Sequence, residues 1–178
     1  MKLNLGCGWD VRPGWVNADC AALPGVAVLC DFGRSSWPFR DNSFDEIQAI
    51  NVVEHLPDMM AVLAEMHRVT RNGGAISIRV PHWNSHVAWM DPTHKRAFHP
   101  STFDYFDPRT VIGQKRPYYS TAKFHIRRRG YWIRIGWGWI EKYFLVRNSL
   151  LRALLDIVAY PFANVIILLE FELIAVKE

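Results

Sequence analysis

Histidines are concentrated in one short part of the chain. Four of the seven lie between Pro81 and Pro100, where Asp91 also lies; they are His82, His86, His94 and His99. Imidazole titrates near neutral pH and is suited to removing a proton from an attacking group. We therefore regard His82, Asp91 and His94 as candidate catalytic residues for a reaction that needs a base.

The same side chains allow two other interpretations. His82, His86, Asp91 and His94 are of residue types that ligate divalent metals. Their spacing contains no tight motif such as HExxH, so the predicted site includes no metal ligand. In the remaining interpretation these side chains pack the segment and bond to its backbone.

A glycine-rich turn follows the first strand-like run. Leu3 and Leu5 alternate with polar residues, and Gly6 and Gly8 then break the pattern. Glycine has no Cβ, so it accepts positive φ and lets a ligand approach the backbone. A strand that ends in such a turn, with an acid at the end of the next strand, is typical of nucleoside-binding α/β folds. Asp19 is that acid.

The spacing after this turn differs from the dinucleotide-binding fingerprint. The third glycine is missing, and Asp19 follows Gly8 by eleven residues rather than about 20. A helical crossover needs about a dozen residues or more. Trp9 to Gly14 therefore predict a single turn or a loop in place of the usual first helix.

Strand-like runs and one helix alternate along the first 81 residues. The strands are expected to end at Leu5, Asp19, Asp31, Ile50 and Val80. Met59, Val62, Met66 and Val69 recur at spacings of three and four, which predicts a helix with one buried face, ended by Asn72-Gly73-Gly74. This alternation indicates an α/β fold, in which ligands lie beyond the carboxyl ends of the strands.

The chain from residue 2 to about residue 106 resembles class I S-adenosylmethionine-dependent methyltransferases. The motifs that carry the resemblance are Leu3-Asn4-Leu5-Gly6-Cys7-Gly8, Asp19, Asn42-Ser43-Phe44-Asp45, Val53-Glu54-His55-Leu56, Glu65-Met66-His67-Arg68-Val69 and Asn72-Gly73-Gly74. The resemblance implies an α/β, Rossmann-like, seven-stranded, mostly parallel sheet with the last strand antiparallel, here with a shortened first crossover. It also implies S-adenosyl-L-methionine as the cofactor.

The resemblance assigns roles to residues at the strand ends. Leu5, Gly6, Cys7 and Gly8 would pass under the methionine part of the cofactor, Asp19 would bind the ribose hydroxyls, Asp31 and Phe32 would flank the adenine, and Asn51 would lie near the reactive methyl group. Residues 81–100 resemble the substrate lip of a bacterial subset linked to cell-surface glycans. Methyl transfer to a hydroxyl needs a base to take the proton, and His82, Asp91 and His94 are the candidates.

Positive charge is concentrated between Arg109 and Ile140. That segment has eight Lys or Arg and no acid, and aromatic residues are interleaved with the charges. The pattern favours an anionic partner: RNA, a phosphorylated glycan carrier or a membrane surface. Alternatively, the segment is a solvated hairpin face whose rings fill the sheet edge. Phe124 to Ile135 are expected to form a strand or a hairpin broken at Gly130.

Length and composition place these parts in one domain. A chain of 178 residues predicts a single methyltransferase domain 1–178, with a cofactor-binding half 1–81, a substrate lip and basic aromatic segment 82–140, and a closing helix and strand 141–178. Three cysteines without a paired framework and no visible signal peptide favour the cytoplasm. Residues 157–169 are expected to form a buried helix, loop and strand.

Three functions follow from these expectations. The first is S-adenosylmethionine-dependent O-methylation of a sugar or small polar metabolite, with a small-molecule or glycan acceptor. The second is RNA methylation, which would use the basic aromatic segment 109–140. The third is a non-catalytic cofactor-binding interaction module. The sequence predicts no particular acceptor and no oligomeric state.

Overall fold

One eight-stranded sheet forms the centre of the molecule, in the order β3-β2-β1-β4-β5-β8-β6-β7. The computed structural model describes residues 1–34, 36–136 and 142–177. The strands are β1 (Lys2–Leu5), β2 (Val16–Asp19), β3 (Val28–Leu29), β4 (Phe44–Ile50), β5 (Thr70–Pro81), β6 (Lys123–Ile135), β7 (Lys142–Val146) and β8 (Ile166–Val176). The helices are α1 (Met59–Val69), α2 (Val87–Met90), α3 (Val111–Lys115) and α4 (Ser149–Ala159), with 3₁₀ turns at Val53–His55, Thr102–Phe106 and Pro117–Tyr119.

The strand directions confirm the predicted fold class. β1 to β5 pair in parallel, and β8 runs antiparallel to both β5 and β6. The sheet has eight strands rather than seven because β7 pairs antiparallel with β6 and adds a new edge. Of the two alternatives for Phe124 to Ile135, the strand is confirmed and the hairpin broken at Gly130 is wrong: β6 continues through Gly130, which pairs with Glu170 of β8.

The connection from β1 to β2 is a loop without a helix, as its length predicted. Two buried amide side chains hold it in place. Asn4 Nδ2 donates to Asn17 Oδ1 at 3.0 Å, and the Asn17 amide bonds to both the N–H and the C=O of Arg12 at 2.9 and 3.0 Å. These hydrogen bonds satisfy loop backbone groups that a helix would have satisfied internally.

Helix α1 begins at an Asp58 cap, whose Oδ1 accepts from Met60 N and Ala61 N. The helix ends at Val69, earlier than expected, because Thr70 is already extended and belongs to β5. Gly73 therefore does not cap the helix; it lies within β5 with φ of 75°.

The core lies between the sheet and its covering segments. Leu3, Ile47 and Ile76 on three neighbouring strands are fully buried, and α1 covers them with Leu63 and Met66. Burial of this apolar area supplies most of the driving force for the fold.

Helix α4 departs from the expected burial of residues 157–169. Ile157 is 70% exposed, whereas Ile166 and Leu169 of β8 are buried. The buried strand of that prediction is confirmed. The helix is present, but the expectation that it is buried is wrong. Among the described residues, none of the helices is long and apolar enough to span a membrane.

Candidate functional site

The glycine turn after β1 leaves an open surface above its backbone. Gly6 and Gly8 have φ of 63° and 49°. A Cβ on Gly6 would lie 2.4 Å from Val52 Cγ2, whereas a Cβ on Gly8 would meet no atom within 4 Å. Packing therefore requires glycine at position 6, and the space over Gly8 is free for a ligand. Leu5 and Cys7 are buried, so only their backbones can face that ligand.

Asp19 ties the glycine turn to the end of β2. Its side chain is only 9% exposed; Oδ2 accepts from Gly8 N at 2.8 Å and Oδ1 accepts from Ala21 N at 2.9 Å. Each carboxylate oxygen has a second lone pair. Asp19 can therefore hold the turn and still accept hydrogen bonds from a vicinal diol.

Asp31 and Phe32 differ in their accessibility at the end of β3. Asp31 is exposed, and its oxygens accept from Gly33 N at 3.0 Å and Arg34 Nε at 3.3 Å. Phe32 is buried, with its ring edge-on to Trp37 at a centroid distance of 5.0 Å. Because this ring packs into the core, Phe32 would flank an adenine through its backbone.

A second group of polar side chains surrounds a cavity at the end of β4. Asn51, with φ of 53°, follows this strand and donates its N–H to Arg79 O at 2.9 Å. The cavity has a volume of about 220 Å³, and its polar lining residues are Asn51, Glu54, His55, Asp91 and His94. β4 is the direct neighbour of β1, so the cavity lies next to the glycine turn along the same edge of the sheet.

Glu54 is the most unusual of these residues. Its side chain is fully buried in the 3₁₀ turn, and neither Oε atom has a hydrogen-bond partner. Burial raises the pKa of this carboxyl to about 7. Glu54 is therefore ready to exchange a proton near neutral pH.

Two imidazoles meet beside Glu54. The rings of His55 and His94 lie 4.6 Å apart. His94 Nδ1 donates to Ala88 O at 3.0 Å, and His55 Nδ1 lies 2.8 Å from Thr93 Oγ1, which itself donates to Asp91 Oδ1 at 2.7 Å. Since the carbonyl and the donating hydroxyl act as acceptors, each Nδ1 carries the proton and each neutral ring has its lone pair on Nε2.

Asp91 acts on this pair through Thr93. Its Oδ1 accepts from both the backbone N–H and the hydroxyl of Thr93, and these bonds lower the pKa of the carboxyl. A carboxylate with a lowered pKa is a poor base at neutral pH. The geometry therefore favours a positioning role for Asp91.

His82 lies apart from the other candidates. It is buried, and burial lowers its pKa to about 4. Its Nδ1 accepts from Asn84 N at 3.3 Å, and it lines a different cavity of about 230 Å³ with His99 and Asp156. The structure thus brings Asp91 and His94 together and leaves His82 elsewhere.

The four residues considered above as alternative metal ligands do not all lie together in the structure. Within the part of the chain that the structure describes, one group of three has metal-ligand spacing: Glu54, His55 and His94, with ligand atoms within 4.8 Å of one another. Only His94 belongs to the set that the sequence suggested, and His86 instead bonds to Asn164 at 2.9 Å. Glu54 and His55 were missed as site residues, although a Glu-His pair directly after a strand end was a usable signal.

Several arginines of the basic segment are paired with acids from other parts of the chain. Arg127 and Arg128 both contact Glu172 of β8, at 3.2 and 3.4 Å, and Arg109 contacts Asp107 at 2.8 Å. The expectation that no acid offsets the positive charge of this segment is wrong for these three arginines. Acids that lie outside the segment in sequence pair with them. The rings of Trp137 and Trp139 lie outside the described residues.

We expect Glu54→Gln to change how stability depends on pH. The pKa of Glu54 is about 7 in the folded protein, against an ordinary value of 4.5 for this carboxyl. As pH rises through this interval the unfolded chain releases a proton that the folded protein retains, so stability falls. The wild type should lose up to about 3 kcal/mol of unfolding free energy between pH 5 and pH 8 from this residue alone, and Glu54→Gln should not. Urea unfolding at both pH values measures the difference.

Glu65→Gln is the matched control. Glu65 is also buried, but its hydrogen bond with Arg68 lowers its pKa. Its ionised form stabilises the fold, so Glu65→Gln should lose stability at pH 8. Equal pH dependence in the wild type and Glu54→Gln would contradict the assignment of Glu54.

Comparison with known proteins finds a matching family model and similar proteins. Residues 3–78 match the family model described as a methyltransferase domain. Cycloartenol-C-24-methyltransferase 1 of Oryza sativa subsp. japonica is 33% identical over 77 residues, which cover 42% of this chain and 22% of the rice protein. An uncharacterized methyltransferase of Mycobacterium sp. (strain JLS) is 35% identical over 85 residues, which cover 48% of this chain and 31% of that protein. The chain thus matches less than a third of the length of either relative.

A solved structure extends the likeness to the whole fold. The S-adenosylmethionine-dependent methyltransferase from Thermotoga maritima aligns over 99% of this chain and 82% of its own, with a TM-score of 0.62 and 14% identity. The fold is that of the class I S-adenosylmethionine-dependent methyltransferases. Residues 3–78 are in addition similar to the methyltransferase-domain family.

The residues present fit the cofactor of this class, S-adenosylmethionine. The surface over Gly8 is open, and Asp19 keeps lone pairs for two hydroxyl groups. Asp31 is exposed at the end of β3, two strands away from the glycine turn. Nucleoside, ribose and methionine parts would therefore meet backbone and carboxylate groups along one edge of the sheet.

Proposed function

We propose that this chain methylates an oxygen of a sugar or another small polar metabolite, with S-adenosylmethionine as the methyl donor. One observation carries the proposal: the cavity that contains His55 and His94 lies at the end of β4, beside the glycine turn of β1. A cofactor over that turn would place its methionine end toward Asn51. The polar lining and the small volume of the cavity favour a small hydroxyl-bearing acceptor.

The residues of the cavity can supply the proton transfer that such a reaction needs. S-adenosylmethionine supplies an electrophilic methyl group when bound. His94, with Nδ1–H held by Ala88 O, presents Nε2 to accept the hydroxyl proton. His55 is the second acceptor; burial and the neighbouring His94 lower its pKa, so that it stays neutral.

The remaining side chains orient the bases. Asp91 and Thr93 fix the tautomer of His55 through two successive hydrogen bonds. Glu54 lies beside both rings without a partner. When ionised, Glu54 would stabilise an imidazolium formed next to it. We assign His82 no direct part, because it opens into the other cavity.

Label transfer from methyl-tritiated S-adenosylmethionine tests the proposed function. The protein is incubated with a polar metabolite extract and, separately, with total RNA. We expect label in the polar metabolite fraction and none in RNA above a heat-inactivated control. Label in RNA alone would support the RNA methyltransferase instead. Cofactor binding without label in either fraction would support a non-catalytic module.

A further inference from the structure

Helix α4 carries an apolar stripe on its outward side. Leu150, Leu151, Leu154, Ile157 and Val158 recur at helical spacing, and all five are exposed, Leu150 by 75% and Leu154 by 58%. On the inward side, Leu155 and Ala159 pack against the core, and the guanidinium of Arg152 lies over the Tyr131 ring at 5.4 Å. The outward side of a surface helix is normally polar.

The chain after α4 extends the exposed apolar surface. Tyr160 and Phe162 follow the helix directly and are 80% and 64% exposed. The acid of the helix, Asp156, accepts from Tyr131 Oη at 3.0 Å, on β6. An exposed apolar surface of this kind marks an interaction site, and aromatic side chains at its end are typical of a lipid–water interface.

The charge of the neighbouring segment indicates which partner fits. Between Arg109 and Arg152 the sequence has eleven Lys or Arg and one acid, Glu141. Asp104, Asp107, Glu170 and Glu172 pair with arginines of this region and leave an excess of positive charge. A symmetric dimer through α4 would bring two such basic regions together and repel, whereas an anionic surface would attract them.

We infer that α4 and the residues up to Phe162 dock on an anionic phospholipid surface. The outward leucines and Ile157 enter the interface, and the arginines contact the lipid phosphates. The helix lies in the plane of the interface and does not span it. Binding therefore depends on both the apolar stripe and the lipid charge.

Docking would also bring the acceptor cavity near the lipid. Asn84 Nδ2, on the segment between β5 and α2, donates to Ala159 O at 2.5 Å, at the last residue of α4. Met90 of α2 is 70% exposed and lines the cavity of His94. This second step rests on the proposed function, whereas lipid binding itself does not.

Vesicle co-sedimentation tests the inference. The full chain is mixed with phosphatidylcholine vesicles with and without phosphatidylglycerol, at low and high salt. We expect binding to the anionic vesicles only, weakened by salt. Leu154→Glu should reduce the partition coefficient about tenfold or more, because a charge replaces a leucine that enters the lipid when the helix binds.

Leu29→Glu is the matched control. Leu29 is 61% exposed on β3, at the opposite edge of the sheet, and its substitution should leave vesicle binding unchanged. No binding by the wild type, or equal binding by Leu154→Glu, would overturn the inference. A dimer seen by light scattering and lost in Leu154→Glu would also overturn it, in favour of a second copy. Failure of label transfer with intact vesicle binding would refute only the proposed function.

Discussion

Asp19→Ala is expected to weaken binding of S-adenosylmethionine and S-adenosylhomocysteine by about 100-fold or more. The carboxylate is positioned by Gly8 N and Ala21 N, at 2.8 and 2.9 Å, and keeps one lone pair on each oxygen. Two hydrogen bonds from ribose hydroxyls to a charged acceptor are together worth about 3 to 6 kcal/mol. Because each 1.4 kcal/mol or so is tenfold in affinity, a loss of two to four orders of magnitude follows. Titration calorimetry with both ligands measures it.

Asp45→Ala separates this effect from a general loss of acidic charge. Asp45 lies near the start of β4, where it contacts the N-terminus and Arg71, at the end of the strand away from the glycine turn. The Asp45→Ala protein should bind S-adenosylmethionine and S-adenosylhomocysteine with the affinity of the wild type. Asp19→Ala also frees two backbone N–H groups, so its thermal unfolding should be compared first. Folded Asp19→Ala protein with wild-type affinity would refute the ribose assignment.

The succession of the first strands along the chain, and the loop between β1 and β2, were predictable from the sequence because local patterns determine them. Leu3 and Leu5 alternate with polar residues, and the eleven-residue interval from Gly8 to Asp19 leaves no room for a helix. The structure has a loop there. The end of α1 was not predictable in the same way, since Thr70 leaves the helix while Asn72-Gly73-Gly74, the local stop signal, lies inside β5. Strand pairing with β4 and β8 outweighs the local preference.

Contacts between residues that are distant in sequence determine which residues come together in the candidate site. The backbone N–H of His86 donates to Asn164 Oδ1, 78 residues away, and Trp83 N donates to Phe98 O. These bonds turn the segment so that His94 faces His55 while His82 faces the other cavity. Likewise, Arg127 pairs with Glu172, 45 residues away. Spacing along the chain carries no information about such contacts. The four histidines are close in sequence, although the fold separates them.

His94→Ala is expected to lower kcat by about 10²- to 10⁴-fold, the usual range for loss of a general base. Its Nε2 is the acceptor for the hydroxyl proton, and Ala88 O holds the ring in the required tautomer. Affinity for S-adenosylhomocysteine should be unchanged, because His94 lies in the acceptor cavity and not at the glycine turn.

His86→Ala is the control for loss of an imidazole in the same segment, and it should retain most of the activity. Its ring bonds to Asn164 and takes no part in the cavity of His94. A His94→Ala enzyme with wild-type kcat would exclude the base assignment. Wild-type activity that needs added Mn²⁺ and is lost with a chelator would change the role of His94 from base to ligand, with Glu54 and His55 as its partners. The two roles are distinguishable because loss of a ligand removes the response of the enzyme to the metal, whereas loss of a base does not.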